Sequence, residues 1–441
     1  MLVIGASFAG LFAAAGAAAA GLDVVVCERD DLADETGPRR GVPQGGQGHV
    51  LLHRGLLTAE SLLPGLGDEL RAAGAVEFDS GEMPFRGDLG WLPAGSGYPI
   101  LSISRVRLEQ IVRTRVRALD RVTLVPGARV AGLAPVPGGW QVIDAHGGRR
   151  EATWVVDASG RGSRLPQWLR RLGVEVAEPQ TIDAHLGYAA RTYAGTLPVR
   201  TAVRMLPTQD SPTGGTALPL EGGRWLVGAE GYGADRPERG QAEFAAFLRA
   251  LPDPALADMV DALDPVDEIH VYRQTANRRL GYGTEPAWPA GLLVVGDALC
   301  AFNPVYGQGI TVAALQGAVL RDALRGRHGR APRRSRRIQR ELRAPAVRAW
   351  QTSTGEDRRI LGLTGRSEEL LDGWVDRVIR LAMAGDPVCG RALNDVYHLM
   401  RPASSLLGPR VAVAVLRGWR TAPPPALPRP TVLAELHADR A

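Results

Sequence analysis

Short apolar runs of the kind found in buried strands alternate with Ala-rich stretches near the start of the chain and again near residue 300. Residues Leu2–Ile4 and Val24–Cys27 form two such runs, with an Ala-rich stretch between them. Residues 292–295 form a third run, and an Ala-rich helix is predicted to begin near Ile310. Strands and helices that alternate in this way predict an α/β domain with a parallel sheet.

Between about residues 174 and 270, apolar and polar residues alternate in the way that is typical of an antiparallel sheet. Strands are predicted at residues 186–193, 202–206, 216–220 and 224–228, with a hairpin turn at residues 221–223. Four strands at residues 122–125, 128–133, 139–144 and 153–156 predict a small β-meander, and helices are predicted at residues 50–63, 104–119, 241–251, 366–383 and 388–400. The pattern therefore predicts a Rossmann-like α/β domain with an inserted antiparallel β-sheet domain and a helical C-terminal region.

The first strand runs into a turn with the spacing of a dinucleotide fingerprint. Gly5 and Gly10 occupy the outer glycine positions, and Ser7 replaces the middle glycine. Gly5 permits a tight turn, Gly10 lets the helix pack closely on the strand, and the helix N-terminus faces the pyrophosphate. Glu28 ends the second strand, near the spacing at which an acidic residue accepts a ribose 2′-hydroxyl.

The third strand leads into a loop that brings a carboxylate and backbone N–H groups together. Gly296 and Asp297 end the strand, and the irregular loop that follows contains Pro304, Gly307 and Gly309. The positive end of the next helix is expected beside it. An isolated aspartate at a strand end more often caps a turn, but the nucleotide-type segment upstream favours a binding role for Asp297.

Composition narrows the class of protein. With 45% hydrophobic and 22% charged residues, the chain is expected to be globular and cytoplasmic, because no apolar stretch reaches the ~20 residues of a membrane helix. The three cysteines are odd in number and far apart, which predicts neither a disulfide framework nor a metal cluster. His49 and His53 have helical spacing but no third ligand beside them, so no metal site is predicted.

All 52 basic residues are arginine, and the net charge is +5. Arginines cluster between Arg325 and Arg343. This run is interpreted as a solvated helix face, with a dock for an acidic carrier protein or for phosphate groups as the alternative. Nucleic acid is not expected as a partner, because no aromatic residue interleaves the run.

Three segments together resemble the flavoprotein monooxygenases of the para-hydroxybenzoate hydroxylase fold: the fingerprint, the central segment VVDASGRGSRLPQWL with Asp157, and the late pair Gly296 and Asp297. Within that family the sequence is most similar to the flavin epoxidases of polyether polyketide pathways, of the monensin and lasalocid type. This closer likeness is carried by RGVPQ at 40–44 with His49, the central segment, EGGRWL at 221–226, ANRRL at 276–280 and FNPVYGQG at 302–309. It covers roughly residues 1–325.

The resemblance implies FAD as the cofactor and gives roles to individual residues. Arg105 matches an arginine that reaches the flavin phosphates, with Arg107 as the alternative, and Asp297 would hold the ribityl hydroxyls. The backbone near Val130 would meet adenine, and Gly309 would let the backbone approach the flavin. The full set of implied FAD contacts is Gly5, Ser7, Phe8, Ala9, Gly10, Glu28, Arg29, Arg40, Arg105, Val130, Asp157, Gly296, Asp297, Pro304, Gly307, Gln308, Gly309 and Ile310.

The loop at residues 37–48 is implied to pass the flavin. Arg40, Gln44 and His49 are therefore candidates to contact cofactor or substrate. His49 is the one side chain considered for catalysis, with an ordinary loop residue as the alternative.

The implied reaction inserts one oxygen atom from O2 through a flavin C4a-hydroperoxide, most simply into an alkene of a polyketide or polyene intermediate. The antiparallel sheet is expected to offer apolar rather than charged positions to this small-molecule substrate, which is either free or bound to a carrier protein. Electrons would come from NAD(P)H or from a separate flavin reductase. A membrane partner is not expected.

Two other reactions stay open. Aromatic hydroxylation is the near alternative, and a redox-silent FAD-binding cyclase (pericyclase) of the same fold is the alternative from another class. A flavin halogenase is disfavoured, because that group uses an active-site lysine and this sequence has none.

The domain plan follows from the same segments. Residues 1–75, 101–175 and 271–345 are predicted to form a discontinuous FAD-binding domain, and residues 76–100 and 176–270 a substrate domain. Residues 346–441 are predicted to form the C-terminal helical region.

Overall fold

The computed structural model describes residues 1–32, 37, 39–208, 210–284, 288–326, 331–419 and 427–438. Its central sheet has five parallel strands, in the order Leu292–Val294, Val155–Asp157, Leu2–Ile4, Val24–Cys27 and Val122–Val125. Ile4 is paired with Asp157, and Asp157 with Val294, so these strands end at the same level. Their carboxyl ends therefore form one edge, which is where open α/β sheets bind ligands. The predicted α/β fold is confirmed.

Residues of the central strands alternate between two buried layers, because successive side chains of a strand point to opposite faces. Val3, Val26, Val156 and Leu293 face a layer of helices. Leu2, Val155 and Leu292 face the meander and a short helix. The helices of the first layer are Phe8–Ala19, His53–Leu62, Leu66–Ala72, Arg105–Arg117 and Gly309–Leu324, and the short helix of the second layer is Leu165–Arg171.

The prediction that residues 122–125 and 153–156 belong to the meander was wrong. Val122–Val125 and Val155–Asp157 are strands of the parallel sheet, and the meander consists of Val130–Val136, Gly139–Asp144 and Arg149–Ala152. Val155 and Val156 are both fully buried, as expected for a strand that is covered on both faces. The solvent-exposed strand Arg149–Ala152 has no apolar run, so the sequence pattern missed it.

The predicted antiparallel sheet is also present. It has eight strands, and all its strand pairs are antiparallel except that of Val203–Met205 with Phe85–Gly87. One face packs on the helices Gln241–Arg249, Ala255–Asp261 and Thr431–Ala438 through residues such as Val203, Ala217 and Val227. Its strands are Leu186–Ala194, Val203–Met205, Thr213–Leu220, Arg224–Tyr232, Asp264–Pro265, His270–Tyr272, Phe85–Gly87 and Gly90–Trp91. Smaller sheets join Val76–Asp79 to Pro99–Ser102, and Gln180–Ile182 to Asn277–Arg279 and Cys300–Ala301.

A helix of 26 residues, Ser335–Ile360, connects the nucleotide domain with the C-terminal helices. The domain boundary predicted at residue 346 lies inside this helix. Near its start, the Gln339 amide protects the edge strand of the parallel sheet: Oε1 accepts from the backbone N–H of Val294 (2.7 Å), and Nε2 donates to its carbonyl (3.0 Å). Both free backbone groups of this edge residue are thereby satisfied.

The C-terminal helices Arg366–Met383, Pro387–Tyr397 and Pro409–Arg417 share a small apolar core of their own, whereas Thr431–Ala438 packs against the antiparallel sheet. Of the arginine run, Arg336, Arg337 and Arg340 are exposed on the long helix, and Arg327 and Arg330 lie outside the described residues. None of the described helices combines the length and the apolar character required to cross a bilayer.

The helices Phe8–Ala19 and Gly309–Leu324 touch through their backbones. A Cβ atom on Gly16 would lie 2.1 Å from the Gly317 carbonyl oxygen, and one on Gly317 would lie 2.5 Å from the Phe12 carbonyl oxygen. Each glycine lies the same number of residues after the first residue of its helix. The two helices therefore run side by side, with both N-termini at the edge of the sheet.

This contact predicts a large effect of one methyl group. Gly16→Ala should lower the free energy of unfolding by about 1–3 kcal/mol or more, because the helices must separate to admit the new carbon. Denaturant unfolding checks this, with Gly355→Ala as the matched control. Gly355 lies inside the long helix with open space around it, so its replacement should add about 0.5–1 kcal/mol of stability. Equal effects at both positions would contradict the packing argument.

Candidate functional site

A cavity of about 620 Å³ runs from the carboxyl edge of the parallel sheet to one face of the antiparallel sheet. This volume is typical of cofactor and substrate sites. Every residue for which the resemblance implies an FAD contact lines the cavity, except Gly10 and Asp157. Gln44 and His49 line it too. The two parts of the fold therefore share one binding space.

Gly10 and Asp157 shape the cavity from outside. A Cβ atom on Gly10 would lie 1.8 Å from the Gly5 carbonyl oxygen, so this glycine allows the helix to approach the strand. The Asp157 carboxylate is fully buried and accepts hydrogen bonds from the hydroxyls of Ser159 and Ser163. Burial raises the pKa of Asp157, and these bonds act in the opposite direction. Asp157 thus fixes the turn that carries Arg161.

Arg105 and not Arg107 lines the cavity. The Arg105 guanidinium donates to Glu109 Oε2 (2.7 Å) and to Ser7 Oγ (3.1 Å), and it lies over the Phe8 ring. The Arg107 side chain is exposed on the other side of the helix. Ser7 replaces the middle glycine of the fingerprint. Its hydroxyl accepts a hydrogen bond from Arg105 at the cavity wall.

Arg39 is a site residue that the sequence reasoning missed in favour of its neighbour Arg40. Its guanidinium lies 3.3 Å from Glu28 Oε2 and 2.5 Å from Glu109 Oε1. Arg40 also lines the cavity, but its side chain is exposed. Glu109 was the signal in the sequence that could have identified Arg39. It lies four residues after Arg105 on the same helix face, and a buried acidic side chain needs cationic partners.

Positive charge dominates the part of the cavity near the fingerprint. Glu28 and Asp297 are the acidic residues that line this part within the described chain. The arginines that line it are Arg29, Arg39, Arg40, Arg105, Arg129, Arg161 and Arg164. Guanidinium groups in excess over carboxylates suit a diphosphate, which arginine binds through paired hydrogen bonds.

Glu28 and Asp297 have different surroundings. Glu28 Oε2 accepts from the backbone N–H of Ala6 (2.6 Å), so its carboxylate ties the fingerprint turn to Arg39. Asp297 is half-buried and lies 3.8 Å from Arg161 Nε. Burial raises the pKa of Asp297, while Arg161 and Arg105 act to lower it. Arg161, which also lay outside the prediction, donates to the carbonyls of Ala276 and Phe302 (both 2.6 Å).

The N-terminus of the helix Gly309–Leu324 opens into the middle of the cavity. Gly307 has a positive φ (64°), and a Cβ atom on it would lie 2.5 Å from Val50. Gly309 begins the helix and has open space around it. Gln308 is 4% exposed, and neither its amide nitrogen nor its oxygen has a hydrogen-bond partner among the described atoms. An amide in this state fits a ligand edge that offers both a donor and an acceptor.

His49 is neutral in this environment. Burial lowers its pKa to about 3, and the nearby Arg105 adds to the effect. Its Nδ1 lies 2.8 Å from the Gln47 carbonyl oxygen, which can only accept, so Nδ1 carries the proton. Nε2 is therefore an acceptor, and the ring cannot supply a proton near neutral pH.

Besides the apolar residues expected on the antiparallel sheet, its cavity face carries two charged ones. Arg204 and Glu230 form a buried ion pair on the cavity face of this sheet. Tyr188 lies directly opposite Glu230 on the neighbouring strand, and its hydroxyl donates to Asn303 Oδ1 (3.3 Å). The two charged residues stand on strands whose alternation looked like that of ordinary half-buried positions, so sequence gave no sign that they meet.

A buried polar network joins the loop before Gly309 to the long C-terminal helix. Asp357 Oδ1 accepts from Asn303 Nδ2 (2.8 Å) and from the Tyr232 hydroxyl (3.1 Å), and Oδ2 accepts from Asn277 Nδ2. Asn303 in turn accepts from the backbone N–H of Val305. Burial raises the pKa of Asp357 to about 6, against these hydrogen bonds. Asp357 lies beyond residues 1–325, the part of the chain that the resemblance covers. It nevertheless holds the loop that lines the cavity.

Among the described residues, no group of three or more His, Cys, Asp or Glu side chains is arranged to hold a metal ion. The three cysteines are buried.

A comparison with protein-family models finds no match. The chain is 32% identical over 357 residues to "Protein Rv3254" of Mycobacterium tuberculosis, and the matched region is 74% of this chain and 73% of that protein.

Solved structures with the same fold include enzymes that use FAD. HpxO of Klebsiella pneumoniae, solved as a variant complexed with FAD, has a TM-score of 0.62 and 18% identity, over 94% of this chain and 98% of its own. PqsL of Pseudomonas aeruginosa, a probable FAD-dependent monooxygenase, has a TM-score of 0.60 and 17% identity, over 82% and 98%. PyrE3, a Diels-Alderase of pyrroindomycin biosynthesis, has a TM-score of 0.61 and 18% identity, over 90% and 79%.

The Asp357 network predicts the local stability of the loop at residues 303–306. Asp357→Ala leaves three buried donors without their acceptor, at about 1–3 kcal/mol for each unpaired group. We expect faster hydrogen exchange at the backbone amides of Asn303 and Val305, measured by mass spectrometry. Asp322→Ala, which removes an exposed carboxylate paired with Arg321, is the control and should leave these amides unchanged. Unaltered exchange in Asp357→Ala would contradict the role of the network.

Proposed function

Because this chain belongs to the same family as the Mycobacterium tuberculosis protein Rv3254, and has the fold of FAD-dependent monooxygenases, we propose that it is an FAD-dependent monooxygenase. The observation that carries this proposal is the single continuous cavity. Its arginine-rich part suits a dinucleotide, its sheet wall suits an organic substrate, and a helix N-terminus with the unpaired Gln308 lies between them.

Five groups of the chain would hold FAD. Arg105 and Arg39 would bind the diphosphate, and Glu28 would accept a ribose hydroxyl. Asp297, at the end of its strand, would accept from the ribityl chain. The N-terminus of the helix that begins at Gly309 would face the flavin ring, where its partial positive charge would favour negative charge on the cofactor. When bound, FAD supplies the activation of O2.

The reaction that we propose is epoxidation of an alkene in a polyketide or polyene intermediate, free or bound to a carrier protein. Support comes from the resemblance to polyether epoxidases at residues 302–309 and from apolar cavity residues such as Phe78, Ile100 and Leu218. The neutral His49 supplies no proton, which agrees with oxygen transfer that requires no acid. Electrons would come from NAD(P)H or from a separate flavin reductase. Aromatic hydroxylation would use the same cavity and cofactor.

A second candidate is redox-neutral cyclisation of a polyene, with FAD as part of the wall. The fold shared with the Diels-Alderase PyrE3 favours it. Both candidates need the cofactor, so they differ in the product and not in the FAD site.

The two aspartates predict different defects. Asp297→Ala should weaken FAD binding by ~10–100-fold, since hydrogen bonds of a charged acceptor contribute about 1.5–3 kcal/mol, and should leave the melting temperature of the FAD-free protein unchanged. Asp157→Ala should lower that temperature, because the buried Ser163 hydroxyl loses its acceptor, while FAD affinity stays within a few-fold. Fluorescence titration and thermal unfolding measure the two effects. Equal loss of FAD in both variants would argue against Asp297 as a contact.

The origin of the product oxygen separates the two reactions. With reductant, ¹⁸O2 and a polyene substrate, the monooxygenase should give a product that has gained one labelled oxygen atom, as read by mass spectrometry. Under anaerobic conditions this product should disappear. An isomer of unchanged mass, formed at full rate without O2, would reject the monooxygenase proposal in favour of the cyclase.

A further inference from the structure

The register of the antiparallel sheet decides which residues face the cavity. Residues directly opposite each other on neighbouring strands share a face, and Tyr188 pairs with Glu230, Ala190 with Gly228, and Arg204 with Thr216. This face lines the cavity through Tyr188, Ala190, Ala202, Arg204, Thr216, Leu218, Gly228 and Glu230. The wall thus has a polar end and an apolar end, with small residues between them.

At the polar end, three protein acceptors hold Arg204 in place. Its guanidinium pairs with Glu230 Oε1 and also donates to the carbonyls of Gly215 (3.4 Å) and Val305 (3.3 Å). Glu230 is 3% exposed, and its second oxygen, Oε2, has no hydrogen-bond partner among the residues that the structure describes. One carboxylate oxygen on the cavity wall is therefore free to accept a hydrogen bond from a ligand.

We propose that Glu230, held in place by Arg204, is the binding group for an uncharged hydrogen-bond donor, a hydroxyl or an amide N–H, on an otherwise apolar substrate. This inference rests on the proposed function, because it assigns the substrate side of the same cavity. A site of this kind would discriminate between two polyenes of equal shape, one with a hydroxyl at the Glu230 end and one without.

The opposite charges of Arg204 and Glu230 favour a substrate donor that is itself uncharged. Arg204 and Glu230 cancel each other, so the pair offers a direction for a hydrogen bond but no net charge for an ionic partner. An anion would meet the like charge of the Glu230 carboxylate, and a cation would meet the like charge of Arg204 and compete with it for Glu230. A neutral donor satisfies Oε2 without disturbing the pair.

The rest of the wall determines that the body of the substrate is apolar. Leu218 lies on the same face, and Phe78, Met83 and Ile100 line the cavity next to it. Ala190, Ala202 and Gly228 leave the middle of the wall flat. A hydrophobic chain or ring system can lie across these small residues with its polar end at Glu230.

Matched small probes test this assignment. We would measure the binding of 2-naphthol and of 2-methoxynaphthalene to the FAD-loaded protein by equilibrium dialysis. The two probes share an apolar body, and only the first can donate a hydrogen bond. We expect wild-type protein to bind 2-naphthol at least tenfold more tightly, because a site built to pair with a hydroxyl rejects the analogue that lacks the donor.

Glu230→Gln reverses the polarity of the site with little change in shape. The new amide can keep its oxygen on Arg204 and present N–H to the cavity, so the preference for 2-naphthol should fall to about unity. Glu221→Gln is the control, because Glu221 pairs with Arg224 at the hairpin of the same sheet, outside the cavity. It should keep the wild-type preference. If Glu230→Gln does not fold, the double variant Arg204→Met/Glu230→Leu removes both charges, and it too should lose the preference.

Equal affinity of wild-type protein for the two probes would overturn the proposal, and so would failure of 2-naphthol to bind or an equal loss of preference in Glu221→Gln. FAD loading is measured first, from the absorbance of the protein. A protein that takes up no FAD would contradict the proposed function, and the probe comparison would then be made on the FAD-free protein, since the wall consists of protein atoms alone.

Discussion

Backbone contact between two helices places the two halves of the site together. Gly16 and Gly317 bring the fingerprint helix and the helix that begins at Gly309 closer than any side chain would permit. Because the helices run side by side from the same sheet edge, Ser7 and Gly309 open into one cavity. With a wider separation, the partial positive charges of the two helix N-termini would lie further apart. The two N-termini would then no longer open into one cavity.

Charges buried around that cavity are stable only as groups. Glu109 holds Arg39 and Arg105, and Glu28 meets Arg39 again at the fingerprint turn. On the opposite wall Arg204 and Glu230 form a pair of their own. An isolated charge in such places would be costly, whereas a pair with its hydrogen bonds completed can remain ionised. The cavity therefore combines a positively charged region with a polar region that carries no net charge.

Sequence alone determined the α/β class and the position of the antiparallel sheet, and all but two of the residues to which the resemblance gives an FAD contact line the cavity. These are local properties. A buried strand, a glycine turn and an Ala-rich helix each follow from neighbours a few residues apart, and the order of such segments identifies the fold. Leu2–Ile4, Val24–Cys27 and the helix Arg366–Met383 were predicted with the observed bounds for the same reason.

Tertiary structure decided which charged side chains meet. Arg39 and Arg40 are adjacent and identical in type, yet Arg39 is the one that is buried against Glu28 and Glu109. Arg204 faces Glu230 because of strand register, and Asp357 reaches Asn303 because a long helix crosses behind the loop. These partners are tens of residues apart or more, and their identity depends on distances that only the packed chain sets. Local pattern carries no information about such distances, since burial and pairing are properties of the whole fold.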